Sequence, residues 1–168
     1  MKSVQFWTLG LALLLVLRTA PVRGDTPEWM NLPLMPVGGG AATTLAAQRG
    51  QVMLVNFWAT WCVPCRYELP EMAALEQRLH TRGFRVLAIT AETEREPIAA
   101  FIKRLGVTVT ALMDKDSALH AAVSVKVMPS TLLLNRQGEV VKTYQGFDRR
   151  IGIKPMEDDV LALLEIHP

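Results

Sequence analysis

The chain has 168 residues and a formal net charge of +2; half of its residues are hydrophobic and two are cysteine. That length suits one domain with a sizeable core, and two cysteines exclude a disulfide framework as the source of its stability. Lys2, Arg18 and Arg23 lie in the first 24 residues, which hold no acid, and without them the charge is −1. No nucleic-acid surface is therefore expected.

In chain order, Lys2, the apolar run 9–17 and Val22-Arg23-Gly24 read as a cleavable export signal over residues 1–24. A single domain over 25–168 follows. The apolar run falls short of the ~20 residues that span a bilayer; an uncleaved anchor starting near Phe6 is the alternative. No cysteine follows the run, which excludes a lipid-modified N-terminus. Residues 25–40, rich in Pro and Gly, predict an arm with an edge strand at 29–34, and 45–48 a short helical turn.

Regular alternation then begins. Strands are expected at 52–58, 86–90 and 109–113, and helices at 63–81, 94–105 and 117–123. Residues 131–134 and 140–144 form a hairpin around the turn 135–138. A last helix opens at Pro155 and buries Met156, Val160, Leu163 and Leu164. Alternation ending in hairpin and helix gives an α/β three-layer sandwich. Strand 52–58 is apolar on both faces and hence central, with Asn56 its one polar residue, which needs partners if buried.

Trp61-Cys62-Val63-Pro64-Cys65 holds both cysteines, between the central strand and a helix. Strand, loop, CxxC, helix is the context in which the motif means thiol–disulfide chemistry. A helix start favours negative charge, so a cysteine there ionises readily. Cys62 is the expected exposed nucleophile and Cys65 the shielded resolving thiol, with Pro64 in the first turn, where it costs no hydrogen bond. Zinc would need two further ligands, and His80, His120 and His167 show no ligand spacing. An inert bridge over so short a loop would stabilise little, and a buried free pair leaves the aromatic and proline flanks without a role. Cys65, Glu68, Met72, Leu75 and Leu79 share one helical stripe. Glu68 thus either escapes sideways to solvent or is a core-side carboxylate kept for use. Pro70 should kink this helix, because the Arg66 carbonyl loses its donor.

Val55-Asn56-Phe57-Trp58-Ala59-Thr60-Trp61-Cys62-Val63-Pro64-Cys65-Arg66-Tyr67-Glu68-Leu69-Pro70 resembles the active-site segment of the TlpA/ResA-like thioredoxin family, and the stretch 127–138 resembles its second signature. The resemblance covers roughly residues 30–165. It implies a thioredoxin-like three-layer sandwich whose central mixed sheet carries an added strand–helix insertion at 86–105 and an N-terminal extension. It also implies a periplasmic or membrane-associated protein-disulfide reductase that needs no cofactor.

By position, Cys62 matches the family nucleophile, Cys65 the resolving cysteine, and Glu68 the acid that tunes the thiols. Pro129 matches a cis-proline facing the CxxC, which would expose the Met128 backbone for strand-like pairing with a substrate. Asn56 stands where thioredoxin has a buried aspartate, so Glu68 is the expected substitute. Trp58 and Trp61 match aromatics beside the site, and plain core packing explains them equally well; Trp61 and Pro64 are expected at the substrate rim. The cytochrome c maturation subgroup often has Pro-Glu-Thr where this chain has Pro129-Ser130-Thr131, and Glu-His where it has Glu68-Leu69. A broad reductase is therefore expected, with apocytochrome c and metal-centre assembly proteins among its candidate substrates. Expected partners are disulfide-containing proteins and a membrane-bound thiol electron donor, with the protein itself a monomer. The alternatives are a disulfide-forming oxidant and, from another class, a Cu(I) metallochaperone using the same two thiolates.

Overall fold

The computed structural model describes residues 27–166. The expected export signal and His167 lie outside the described residues. Strand β2 (Val52–Phe57) is buried at every position, as its two-sided apolar pattern requires. Parallel to it runs β3 (Phe84–Thr90), and parallel to β3 runs β4 (Thr110–Met113). On the other side β2 pairs antiparallel with β5 (Ser130–Leu134), which forms a hairpin with β6 (Val140–Gln145). With β1 (Met35–Pro36) antiparallel to β4, the six-stranded mixed sheet has the order β1-β4-β3-β2-β5-β6.

Strand alternation divides the core. Met53, Val55 and Phe57 point into the layer closed by the N-terminal turn and α3 (Ala118–Ala122). Val52 and Leu54 point the other way, into the layer of α1 (Cys65–Leu79) and α4 (Lys154–Glu165). Helix α2 (Arg95–Leu105) joins that second layer through Ile98 and Phe101. Asn56 keeps the parity of Val52 and Leu54, so it faces α1.

Two expectations need correction. Residues 29–34 are not an edge strand: Glu28–Asn31 is a 3-10 turn, with the Pro27 carbonyl accepting Met30 N–H at 3.0 Å. The turn carries Met30 into the core. The edge strand comes later, at Met35–Pro36, where a proline lacking N–H is tolerated at the sheet margin. The helix after the cysteine motif begins at Cys65, not at 63, because Pro64 is its N-cap. It ends at Leu79 and tightens into a 3-10 turn at His80–Arg82. The helix is continuous through Pro70.

Candidate active site

Strand β2 delivers the chain to the motif. Trp58 N–H still bonds to the Ile89 carbonyl at 3.0 Å, so the backbone stays in register one residue beyond the strand. It then turns, with Cys62 N–H donating to Ala59 O at 3.1 Å. Cys62 and Cys65 are bridged, their Cα atoms 5.4 Å apart. Cys62 precedes the helix by three residues, yet its Sγ accepts the Cys65 N–H at 3.3 Å. The sulfur thereby satisfies one of the donors that a helix start leaves unpaired. Pro64 closes the turn, its carbonyl accepting Tyr67 N–H and Glu68 N–H.

The expected contrast between an exposed Cys62 and a shielded Cys65 is smaller than the sequence suggested. Their relative exposures are 3% and 0%, while Trp61 and Val63 stand out at 67% and 57%. The reason is local: Cys62 turns inward to reach its partner, which throws its two neighbours outward. Trp58 and Trp61, alike in sequence, have opposite settings. Trp58 is fully buried and stacks on Phe101, so it is core. Trp61 is rim.

Glu68 takes the core side of its stripe and is fully buried. Its Oε2 accepts a 2.8 Å hydrogen bond from Asn56 Nδ2, which also donates to Thr131 Oγ1 at 2.9 Å. Glu68 Oε1 and Asn56 Oδ1 have no protein partner. Burial pushes the Glu68 carboxyl up to about 7, against the Asn56 hydrogen bond and with some help from the Glu71 charge. A carboxyl so placed gains and loses its proton near neutrality. It stands one helical turn beyond Cys65, and residues three apart on a helix have Cβ atoms about 5–6 Å apart.

Across the site the Met128–Pro129 peptide is cis. Pro129 is buried, its carbonyl accepting Gly146 N–H at 2.8 Å. Met128, half-buried, packs against the cluster that holds Cys62, Cys65 and Trp58. The structure thus packs Trp58 and Met128 with the cysteine pair and joins Asn56 to Glu68, one turn beyond Cys65, with Trp61 exposed and Pro64 half-buried beside the motif.

Glu92, between β3 and α2, went unrecognised in the sequence. Its carboxylate accepts Thr60 N–H at 2.7 Å, Thr60 Oγ1–H at 2.6 Å and Thr90 Oγ1–H at 3.3 Å. This clamp holds the loop two residues before Cys62. Glu92 is one of three acids in 92–96 and lies 32 residues from Thr60, so no spacing could single it out. His120 is likewise not merely scattered: its Nδ1 meets Asp114 Oδ2 at 2.7 Å, buried beside Phe57. Among the described residues no group of three or more His, Cys, Asp or Glu is arranged to hold a metal ion, and no helix is long and apolar enough to cross a membrane.

Known proteins are similar to this chain in sequence and fold. The chain is 32% identical over 107 residues to the thiol-disulfide oxidoreductase ResA of Bacillus subtilis, a match covering 64% of this chain and 60% of that protein. It is 29% identical over 162 residues to ResA of Geobacillus kaustophilus, covering 87% and 91%. The chain thus spans about three fifths of the Bacillus relative's length and nearly all of the Geobacillus one. A solved Chlorobium tepidum structure, described as a thiol:disulfide interchange protein DsbE, superposes with a TM-score of 0.72 at 27% identity, covering 79% of this chain and 92% of that one. The redoxin family itself matches from residue 29 to residue 164, spanning the sheet, the bridged cysteines and the closing helix, and the chain belongs to that family.

Proposed function

We propose that the protein is an exported thiol–disulfide oxidoreductase that reduces disulfides in other periplasmic proteins. The observation that carries this is the Cys62–Cys65 bridge at the head of α1, with a buried carboxyl titrating near neutrality one turn behind it. In the reduced protein the Cys62 thiolate attacks one sulfur of a substrate disulfide. The other substrate sulfur leaves as a thiolate and takes a proton. Cys65 then loses its proton and attacks Cys62 Sγ, which forms the bridge and frees the second substrate thiol. Two electrons pass to the substrate and the protein ends oxidised. Glu68, ionised above about 7 and with Oε1 free, is the acceptor for the Cys65 proton. Asn56 positions Glu68, Trp58 supports the motif from below, and Trp61, Pro64, Met128 and Pro129 form the rim that meets the substrate.

Two features favour the reducing direction. Val63 and Pro64 place no cation between the cysteines. An ionised Glu68 disfavours a second negative charge nearby and so raises thiol pKa. Regeneration then needs a thiol donor, for which a membrane-bound partner suits an oxidising compartment. Residues 1–24 act as the export signal of the domain 25–168, and apocytochrome c and metal-centre assembly proteins are candidate substrates.

The test is capture. Cys65→Ser, reduced and exposed to periplasmic extract, should accumulate mixed disulfides through Cys62, because nothing remains to resolve them. Limiting alkylation of the reduced wild type should label Cys62 before Cys65. Labelling in the opposite order, or no trapped species, rejects the assignment.

A further inference from the structure

Beside the cysteine bridge, α1 and α2 enclose a hollow of about 190 Å³ lined by Arg66, Phe101, Arg104 and Leu105. Phe101 is its floor. One face of the ring is covered by Trp58, stacked at 5.2 Å between centroids and 28° between planes. Both guanidinium groups lie over the same ring, Arg66 Cζ at 5.7 Å and Arg104 Cζ at 5.9 Å from its centroid.

Neither arginine has a carboxylate partner among the described residues, whereas Arg78, Arg82, Arg85 and Arg150 each have one. Glu92, the acid of the adjoining loop, is engaged with Thr60 and Thr90. Two like charges over one ring repel each other, and an anion between them relieves that repulsion. Guanidinium groups also present the planar donor forks that match a carboxylate. The apolar floor of Phe101 and Leu105 suits the methylene stem of an acidic side chain better than a bare ion. The hollow adjoins the bridge: Arg66 follows Cys65, and its Nη2 lies 3.4 Å from the Thr60 carbonyl, two residues before Cys62. Trp61 and Val63, on either side of Cys62 in the chain, are exposed.

We propose that this hollow is a specificity subsite: Arg66 and Arg104, over Phe101, receive an aspartate or glutamate side chain flanking the disulfide of the substrate protein. The inference rests on the oxidoreductase reading above and adds to it the chemistry of the segment the enzyme prefers.

Competition among cyclic disulfide peptides, identical but for Glu, Gln or Lys at each flanking position, tests it by mass spectrometry of the reduced products at low salt. Glu should be preferred over Gln at one or more positions by about three- to tenfold, the worth of one or two partly exposed charge pairs. The preference should shrink as salt is added. Arg104→Gln should abolish it and Arg104→Glu should turn it towards Lys. Cooperative thermal unfolding of both oxidised variants, as in the wild type, reports that they are folded. The proposal is overturned if the wild type does not discriminate, or if its preference survives Arg104→Gln. Flotation of the protein with phosphatidylglycerol vesicles that depends on Arg104, without peptide discrimination, overturns it in favour of a lipid headgroup. If no peptide of any charge is reduced, the oxidoreductase reading itself fails and takes this subsite with it.

Discussion

Replacing Glu68 by glutamine should change how stability depends on pH, and the size follows from the structure. The carboxyl is fully buried with a single hydrogen bond, and its pKa is raised from 4.5 to about 7. Below pH 4.5 it is protonated in both folded and unfolded chains and contributes no pH dependence. Between 4.5 and 7 the folded protein holds a proton that the unfolded chain releases, so stability falls as pH rises. Above 7 both states are ionised and the loss is complete. At ~1.4 kcal/mol per pKa unit, the full loss is roughly 3 kcal/mol. Glutamine keeps the shape and cannot ionise. The stability of Glu68→Gln minus that of the wild type should therefore grow by about 2–3 kcal/mol from pH 4.5 to pH 8. Urea denaturation of both oxidised proteins across that range measures it, and subtraction removes groups common to both, such as Glu76, whose carboxyl burial also raises. Parallel curves would mean that Glu68 is hydrated or already ionised, and its role as a proton acceptor for Cys65 would fall.

Asn56→Ala removes the one hydrogen bond that favours the ionised Glu68, so the fall in stability should move to higher pH. The same denaturation series, or the infrared band of the protonated carboxyl, follows it; a shift to lower pH contradicts the assignment. Glu92→Gln weakens the clamp on Thr60, and losing charge-assisted bonds at a half-buried site should cost about 1–2 kcal/mol. Because the clamp holds the loop before Cys62, the rate of Cys62 alkylation should change in the same variant and be restored by Glu92→Asp; an unaltered rate would reduce Glu92 to a structural role. The midpoint potential against glutathione or dithiothreitol buffers at neutral pH should lie nearer to thioredoxin, about −270 mV, than to a strong oxidant at about −120 mV. A value at the oxidising end makes this protein a disulfide donor.

What the sequence determined by itself is what local periodicity can carry. The run 52–57, apolar but for Asn56, reads as a central strand, and the stripe Cys65, Glu68, Met72, Leu75, Leu79 puts Glu68 on the core-facing line without deciding whether its side chain turns to solvent; the structure buries it. The CxxC between strand and helix named the chemistry to expect. Periodicity says which face of an element a side chain occupies, but not what lies opposite. Whether Glu68 would be paired was therefore decided only by the fold. The strand order puts β5 beside β2, so that Asn56 reaches Glu68 on one side and Thr131, 75 residues away, on the other. The Glu92 clamp spans 32 residues and needs the β2–β3 crossover, and Arg66 and Arg104 share the Phe101 ring only because α2 packs beside α1. The N-terminal arm shows the same limit. It does contribute an edge strand, but which residues pair depends on where Met30 must enter the core and on the free edge that β4 presents. Pairing across a sheet is a long-range event whose partners are chosen by packing, and no local pattern contains that choice.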